Sequence, residues 1–379
     1  MHSVLFILLV FVLSAGITTM MIPKIILISF KKNLFDTVDE RKVHKGVVPR
    51  LGGVAFTPAI IISLAVAAGI YSLTYEVTGF NMEFVPMLAL CLCALMLLYI
   101  EGITDDLIGV GYKVKFACQT ICALLIVLSG IWINDLNGLF GVNDIPWYVG
   151  MPLTTVLIVY IINAINLIDG IDGLASGLSL VALFFIGCLQ SMNGDAVSAV
   201  IAFATVGTLI PFFIFNVFGK AEKHKKIFMG DCGSQTIGLI LGMLAVKFCM
   251  TDLNVVGKQS NTLLIAISVL LIPCLDVIRV MIGRLKKGLN PFLPDMTHIH
   301  HKFLALGMSH HTAMLTILMI DAFFIMLNLG MASFCDINIS FAISILLWCG
   351  MHMWISQMIK KLKGRKPEVR DEGDDGDKR

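Results

Sequence analysis

Four short segments set carboxylates beside glycine, proline or asparagine: Glu101-Gly-Ile-Thr-Asp105-Asp106, Asn163-Ala-Ile-Asn166-Leu-Ile-Asp169-Gly170-Ile-Asp172-Gly173, Phe228-Met-Gly-Asp231-Cys-Gly-Ser234 and Pro294-Asp295. In the second, Asn163, Asn166, Asp169 and Asp172 recur at every third position. On a helix or a broken helix end that spacing brings successive side chains within about 5–6 Å on one face. Glycine beside them permits close backbone approach. Oxygen-rich clusters of this kind suit Mg²⁺, a hard cation that keeps several waters and is usually shared with substrate phosphates. Asp105 and Asp106 are adjacent, so their side chains diverge and two roles are expected of them rather than one. Lys113 and Lys115 follow and are placed to neutralise phosphate oxygens. Asp231 precedes a long apolar run, and a helix N-terminus there would offer N–H groups and partial positive charge to a phosphate. Each segment also has a plainer reading: a helix cap, a charge pair, snorkelling lysines, or a loop-to-helix turn.

The segment Pro291-Phe-Leu-Pro-Asp-Met-Thr-His298-Ile-His300-His301-Lys302 gathers three histidines, with His310 and His311 further on. Zinc would need a cysteine pair or a His-Glu-x-x-His helix, and neither accompanies them. Imidazoles and Lys302 acting as hydrogen-bond donors to a diphosphate fit better. The alternate spacing of His298 and His300 suits an extended or turn segment. Asp276 and Arg279, three apart, suggest an ion pair near a helix end, structural or functional; Lys247 and Asp321 lie in apolar runs without an evident role.

The elements that must position these groups lie in a bilayer. With 57% hydrophobic and 14% charged residues among 379, the chain is not a set of soluble domains. Its mean hydropathy is +0.88. Apolar windows predict an all-α, polytopic integral membrane protein of about eleven transmembrane helices, at 3–29, 51–73, 84–101, 115–133, 147–165, 177–192, 196–218, 234–251, 261–281, 312–334 and 339–358. Connecting segments on one side carry 24 of the 28 Lys and Arg, and those on the other carry only Lys258. By the positive-inside rule the N-terminus is outside, the C-terminus is cytoplasmic, and the acidic clusters face the cytoplasm. Residues 1–359 form the transmembrane domain, and 360–379 a basic, then acidic, disordered cytoplasmic tail. Most of the ten cysteines lie in apolar runs, where a thiol acts as a small hydrophobe. No nucleic-acid partner is expected.

Taken together, the motifs Arg41-Lys-Val-His-Lys45-Gly-Val-Val-Pro-Arg50-Leu-Gly-Gly53, Thr104-Asp-Asp106 running on to Lys115 and Gln119, Asn163 to Gly173, Phe228 to Ser234, and His298-Ile-His-His301 occur in order along the chain. In them the chain resembles the polyprenyl-phosphate N-acetylhexosamine-1-phosphate transferases, its His-Ile-His-His form matching the WecA and TagO branch rather than the related MraY. The resemblance implies Asp231 as the principal Mg²⁺ ligand, with Asn166 second and Mn²⁺ as a substitute ion. Lys45 and Lys115 would face phosphates; Gly170, Asp172, Asn216 and Phe228 would belong to the nucleotide pocket. Asp105 and Asp106 match the family's aspartate pair near the acceptor phosphate. Asp169 and the histidines His298, His300 and His301 complete the catalytic candidates. Leu107-Ile-Gly109 and Cys232 depart from the family pattern.

The implied reaction takes a sugar 1-phosphate, foremost GlcNAc 1-phosphate, from a UDP-N-acetylhexosamine to undecaprenyl phosphate at the cytoplasmic face of a bacterial inner membrane. It releases UMP and starts a cell-surface glycan. Another UDP-amino sugar or a phospho-MurNAc-pentapeptide is the alternative donor, and a homodimer the oligomer considered. A secondary transporter of anionic solutes is the rival from another class; it would show discontinuous helices and mid-membrane charge.

Overall fold

The computed structural model describes residues 2–34, 47–74, 84–250, 261–290 and 295–364. Thirteen α-helices occur among them: α1 (His2–Lys32), α2 (Phe56–Thr74), α3 (Phe84–Ile108), α4 (Tyr112–Leu128), α5 (Trp147–Ile168), α6 (Leu174–Met192), α7 (Ala196–Val217), α8 (Gly230–Cys249), α9 (Thr262–Val269), α10 (Leu271–Leu285), α11 (Ile299–Ala305), α12 (His310–Met331) and α13 (Ile337–Gly364). Extended pairing in the described residues is confined to one antiparallel bridge, Asp135 with Asp144. In lipid a backbone must satisfy its own polar groups, and apolar sequence does so as helix.

Nine of these helices are long and apolar enough to cross a membrane, and the bent pair α9 and α10 makes ten. The eleventh expected span corresponds to α4, which at 17 residues is shorter than the others. The expected span 261–281 is not one straight helix: α9 and α10 meet at a 68° bend. Pro273 explains it. Proline offers no N–H to the carbonyl four residues earlier, here Val269, and its ring clashes with that carbonyl. After the bend α10 is two-faced, with Asp276, Val277 and Val280 buried and Ile278 and Ile282 exposed. The last helix runs through Lys360 and Lys361 to Gly364, and residues 365–379 of the expected tail lie outside the described residues.

The helix α8 is the hub. Within its most apolar stretch 94% of residues are buried, against 22% in α1. It packs on α3, α5, α6 and α9, and on the short 3-10 turn Gly52–Ala55 ahead of α2, while α1, α2, α6 and α7 form a second group beside it. The 3-10 turn is tied down by backbone bonds from Gly52 N to Phe228 O (3.0 Å) and Gly53 N to Met229 O (2.8 Å). At Gly53 a Cβ would lie 2.1 Å from the backbone nitrogen of Gly233, so the two chains meet at glycine contact.

Gly53→Ala is therefore expected to cost about 1–3 kcal/mol through overpacking, read as a lower unfolding midpoint in detergent. Gly69→Ala, where a Cβ meets nothing within 4 Å, should leave the midpoint unchanged or higher.

Candidate active site

Four helix ends carry the polar cluster, and the alternation of neighbouring helices puts them on one side of the bundle: the C-terminal ends of α3 and α5 and the N-terminal ends of α4 and α8. Lys115, in the first turn of α4, sets its Nζ 2.5 Å from Asp105 Oδ2 and 2.9 Å from Asp231 Oδ2. Asn166, in the last turn of α5, donates its Nδ2 to Asp231 Oδ1 at 2.6 Å and to Ser234 Oγ at 2.8 Å. Asp231 thus joins α4 and α5 to its own first turn, and Lys115 brings in Asp105 on α3. Its side chain is 35% exposed where that of Asp105 is 6%, so Asp231 is the carboxylate that faces outward.

The aspartate pair does divide its labour. Asp105 Oδ1 also accepts from Val110 N at 2.7 Å, closing the turn after α3. Asp106 accepts from the backbone N–H groups of Asp231 (2.7 Å) and Cys232 (3.0 Å). This corrects one expectation: the N–H groups at the start of α8 that a phosphate was to occupy already hold the protein's own carboxylate. A negative charge there is favourable for the same electrostatic reason. Gly230 makes the arrangement possible, with φ at +73° and a would-be Cβ only 2.6 Å from Asp106 Oδ2.

Around this layer the remaining predicted residues take different places. Asp169 and Gly170 are exposed in the loop after α5. The His300 ring lies on Gly170, where a Cβ would approach its Nε2 to 2.2 Å. Asp172 pairs with Lys226 at 2.5 Å, both side chains 11% exposed. Asn216 is buried with both ends committed, its Oδ1 accepting from Gly173 N (2.7 Å) and its Nδ2 donating to Ile227 O (2.9 Å), so it stitches the turn between α5 and α6 to the segment before α8. Half-buried Phe228 donates its N–H to Pro49 O at 2.8 Å and has Lys226 Nζ 6.0 Å from its ring centroid. Lys113 is exposed, and Lys45 lies outside the described residues. Residue types alone did not mark Lys226 or Ser234 as site residues, although Ser234 stands one helical turn from Gly230.

The histidines do not form an extended segment. His298 precedes the first turn of α11, and His300 and His301 lie within that helix. His298 Nδ1 is 2.8 Å from Asp276 Oδ2, and the same carboxylate accepts Ile299 N at 3.0 Å and Arg279 Nη2 at 2.7 Å. The ion pair expected from Asp276 and Arg279 near a helix end forms, and its buried carboxylate is the anchor of the histidine helix. The rings of His298 and His300 are parallel within 3° at 6.0 Å, and His300 and His301 stand 4.2 Å apart. Burial, then the neighbouring His301 and His298, lowers the His300 pKa to about 3. Burial and His298 lower that of His301. Half-burial and the Arg279 charge bring Lys302 down to about 8.

Residues 87–249 match the model of the family described as glycosyl transferase family 4. A Bacillus subtilis (strain 168) protein, named probable undecaprenyl-phosphate N-acetylglucosaminyl 1-phosphate transferase, is 31% identical over 319 residues, 83% of this chain and 82% of its own. The chain belongs to glycosyl transferase family 4. Two further relatives, from Salmonella typhi and Yersinia pestis, are named undecaprenyl-phosphate alpha-N-acetylglucosaminyl 1-phosphate transferase. The first is 29% identical over 296 residues (76% of this chain, 74% of the relative), the second 27% over 307 (79% and 78%). As a multi-pass family 4 protein it carries the acidic layer inside the matched segment, since Asp105, Lys115, Asn166 and Asp231 all fall between residues 87 and 249.

The buried His300 has a consequence for stability. The unfolded chain takes up a proton near pH 6.5, whereas the folded one resists until about pH 3. The neutral ring therefore contributes stability above pH 6.5 that is lost as the pH falls through that window. Unfolding midpoints in detergent between pH 6.5 and 4 should fall less steeply for His300→Gln than for the parent; equal slopes would contradict this assignment.

Proposed function

We propose that this protein transfers GlcNAc 1-phosphate from UDP-GlcNAc to undecaprenyl phosphate, releasing UMP and forming a lipid diphosphosugar. We further propose that it works in a bacterial inner membrane with its acidic layer toward the cytoplasm. The observation that carries the reading is the layer Asp105–Lys115–Asp231–Asn166, assembled from four helix ends on one side of an apolar bundle. A lipid phosphate at headgroup level and a water-borne nucleotide can meet at such a place and nowhere deeper. The names of the relatives give the transferred GlcNAc 1-phosphate and the undecaprenyl-phosphate acceptor, and the UDP-linked donor is what the family resemblance implies. The Lys and Arg asymmetry supports the cytoplasmic side.

The donors around Asp231 suit Mg²⁺. They are hard oxygens, the carboxylate is partly open, and the Lys115 ammonium bridging Asp105 and Asp231 marks the spot as one that attracts a cation. Such an ion would take its remaining ligands from substrate phosphates and water. Asp231, with Asn166 beside it, would hold the ion, which when bound supplies charge neutralisation for the donor diphosphate.

The chain's own residues account for the rest. Phosphoryl transfer asks chiefly for positioning and for cations where charge develops. Lys115, with its side chain 23% exposed, is held between two carboxylates and offers that charge at the layer's surface. The acceptor phosphate, largely dianionic at neutral pH because its second pKa is about 6, needs no strong base to attack in line. Asp106, with both oxygens given to α8, positions Asp231 and does not orient the acceptor. His300, neutral at working pH, lies over Gly170 at the exposed loop, where the uncharged ring offers a hydrogen-bonding edge without adding charge. The bend between α9 and α10 and the buried Asp321 are features a transporter would share, but they stand apart from the acidic layer in a chain whose relatives are named as transferases.

In detergent, with UDP-GlcNAc and undecaprenyl phosphate, UMP release should require Mg²⁺, stop with chelator and need no ion gradient. Asp231→Asn should lower turnover by about a hundred- to a thousandfold, as loss of a central electrostatic group does, while keeping the unfolding midpoint within a few degrees. Release of UMP from a different UDP-sugar in preference to UDP-GlcNAc would refute the sugar assignment.

A further inference from the structure

One helical turn beneath the acidic layer lies a second set of polar side chains, carried by the same four helices. Glu101 stands four residues before Asp105 on α3, Gln119 four after Lys115 on α4, Asn163 three before Asn166 on α5, and Gln235 four after Asp231 on α8. They form one continuous chain. Asn163 Nδ2 donates to Gln119 Oε1 at 2.7 Å, Gln119 Nε2 donates to Gln235 Oε1 at 2.9 Å, and Gln235 Nε2 donates to Glu101 Oε2 at 3.0 Å. Gln119, Gln235 and Glu101 are buried, at 2%, 1% and 8% exposure.

The chain has a direction, and elementary chemistry imposes it. Glu101 Oε2 accepts at the end of the chain, so Gln235 turns its NH₂ toward Glu101. Its oxygen then faces Gln119, which must present its own NH₂, and the oxygen of Gln119 in turn requires the NH₂ of Asn163. The second hydrogen of Asn163 goes to Val159 O at 2.8 Å in its own helix. Reversing one glutamine amide would set oxygen against oxygen among buried side chains.

We infer that this one-way chain is the positioning device of the site: Glu101 fixes the orientation of three amides, and the amides lock α3, α4, α5 and α8 in the register that brings Asp105, Lys115, Asn166 and Asp231 into one layer. The bonds of the upper layer would otherwise have to hold four helices against the mutual repulsion of the clustered carboxylates. Glu101, Gln119, Asn163 and Gln235 are positioning residues, acting through the layer above. For its catalytic readout the inference rests on the transferase reading.

A double-mutant cycle tests it at pH 8. In Asn163→Asp the new carboxylate faces the Gln119 oxygen, and flipping both glutamines only moves the conflict to Glu101. In the double variant Asn163→Asp with Glu101→Gln the acceptor sits at the other end, and flipping both glutamines restores the three bonds of the chain, while the bond to Val159 O is lost alike in the single and double variants. Turnover of Asn163→Asp should fall at least about tenfold, and the double variant should recover to within about threefold of the parent, a coupling characteristic of residues in one network. The unfolding midpoint should drop and recover in parallel, as a purely local packing loss at residue 163 would not. A double variant no better than Asn163→Asp in either measure overturns the inference. If the parent itself releases no UMP, the transferase reading fails, and recovery or not of the midpoint still decides the chain.

Discussion

A carboxylate in the first turn of an almost wholly buried helix is costly unless something nearby carries the opposite charge, and at Asp231 that partner is Lys115. Most of the site's geometry follows from this contact. The lysine is shared with Asp105, so α3, α4 and α8 are drawn to one point; Asn166 adds α5 through the other carboxylate oxygen. Asp106 then relieves the start of α8 by accepting its first N–H groups. The result is a charged surface layer in which only one carboxylate is substantially open, resting on an apolar bundle.

The second layer explains why the first does not splay. A salt bridge at a partly exposed surface is weak alone, and Lys115 and Asp231 are both partly exposed. Amide bonds one turn deeper are shielded from competing water and specify a single arrangement. Rigidity and charge are thus divided between two depths of the same helices, with the ionised groups above and, apart from Glu101, neutral amides below.

Much of this was legible in residue order. Membrane class and helix content followed from hydropathy, because lipid leaves an apolar chain few alternatives to helix. The pairing of Asp231 with Asn166 was implied by the family resemblance, while the shared side of the acidic segments followed from the helix alternation. What was missed is instructive. The bend at Leu270 hides in a continuous apolar window, where periodicity is silent and only Pro273 signals the missing donor. The histidines looked extended because His298 and His300 alternate, yet His298 stands outside the helix that holds the others, and its partner Asp276 lies 22 residues away in sequence. Glu101, Gln119 and Gln235 each stand four positions from a charged member of the layer; the repeat was in the sequence but spread over three segments. The role of Asp106 could not be read at all, since it depends on which helix start it meets.

The histidine helix is held from a different quarter. Lys302 reaches His352 Nδ1 at 3.3 Å and Ser356 Oγ at 3.1 Å on α13, and Asp276 holds His298 from α10. These are peripheral helices, whereas Asp231 rides on α8, which barely touches lipid. Thickening or thinning of the surrounding membrane therefore acts on the two halves of the site unequally: it tilts the outer helices and shifts the imidazoles and the height at which a headgroup floats, while the central carboxylate stays where the bundle interior keeps it.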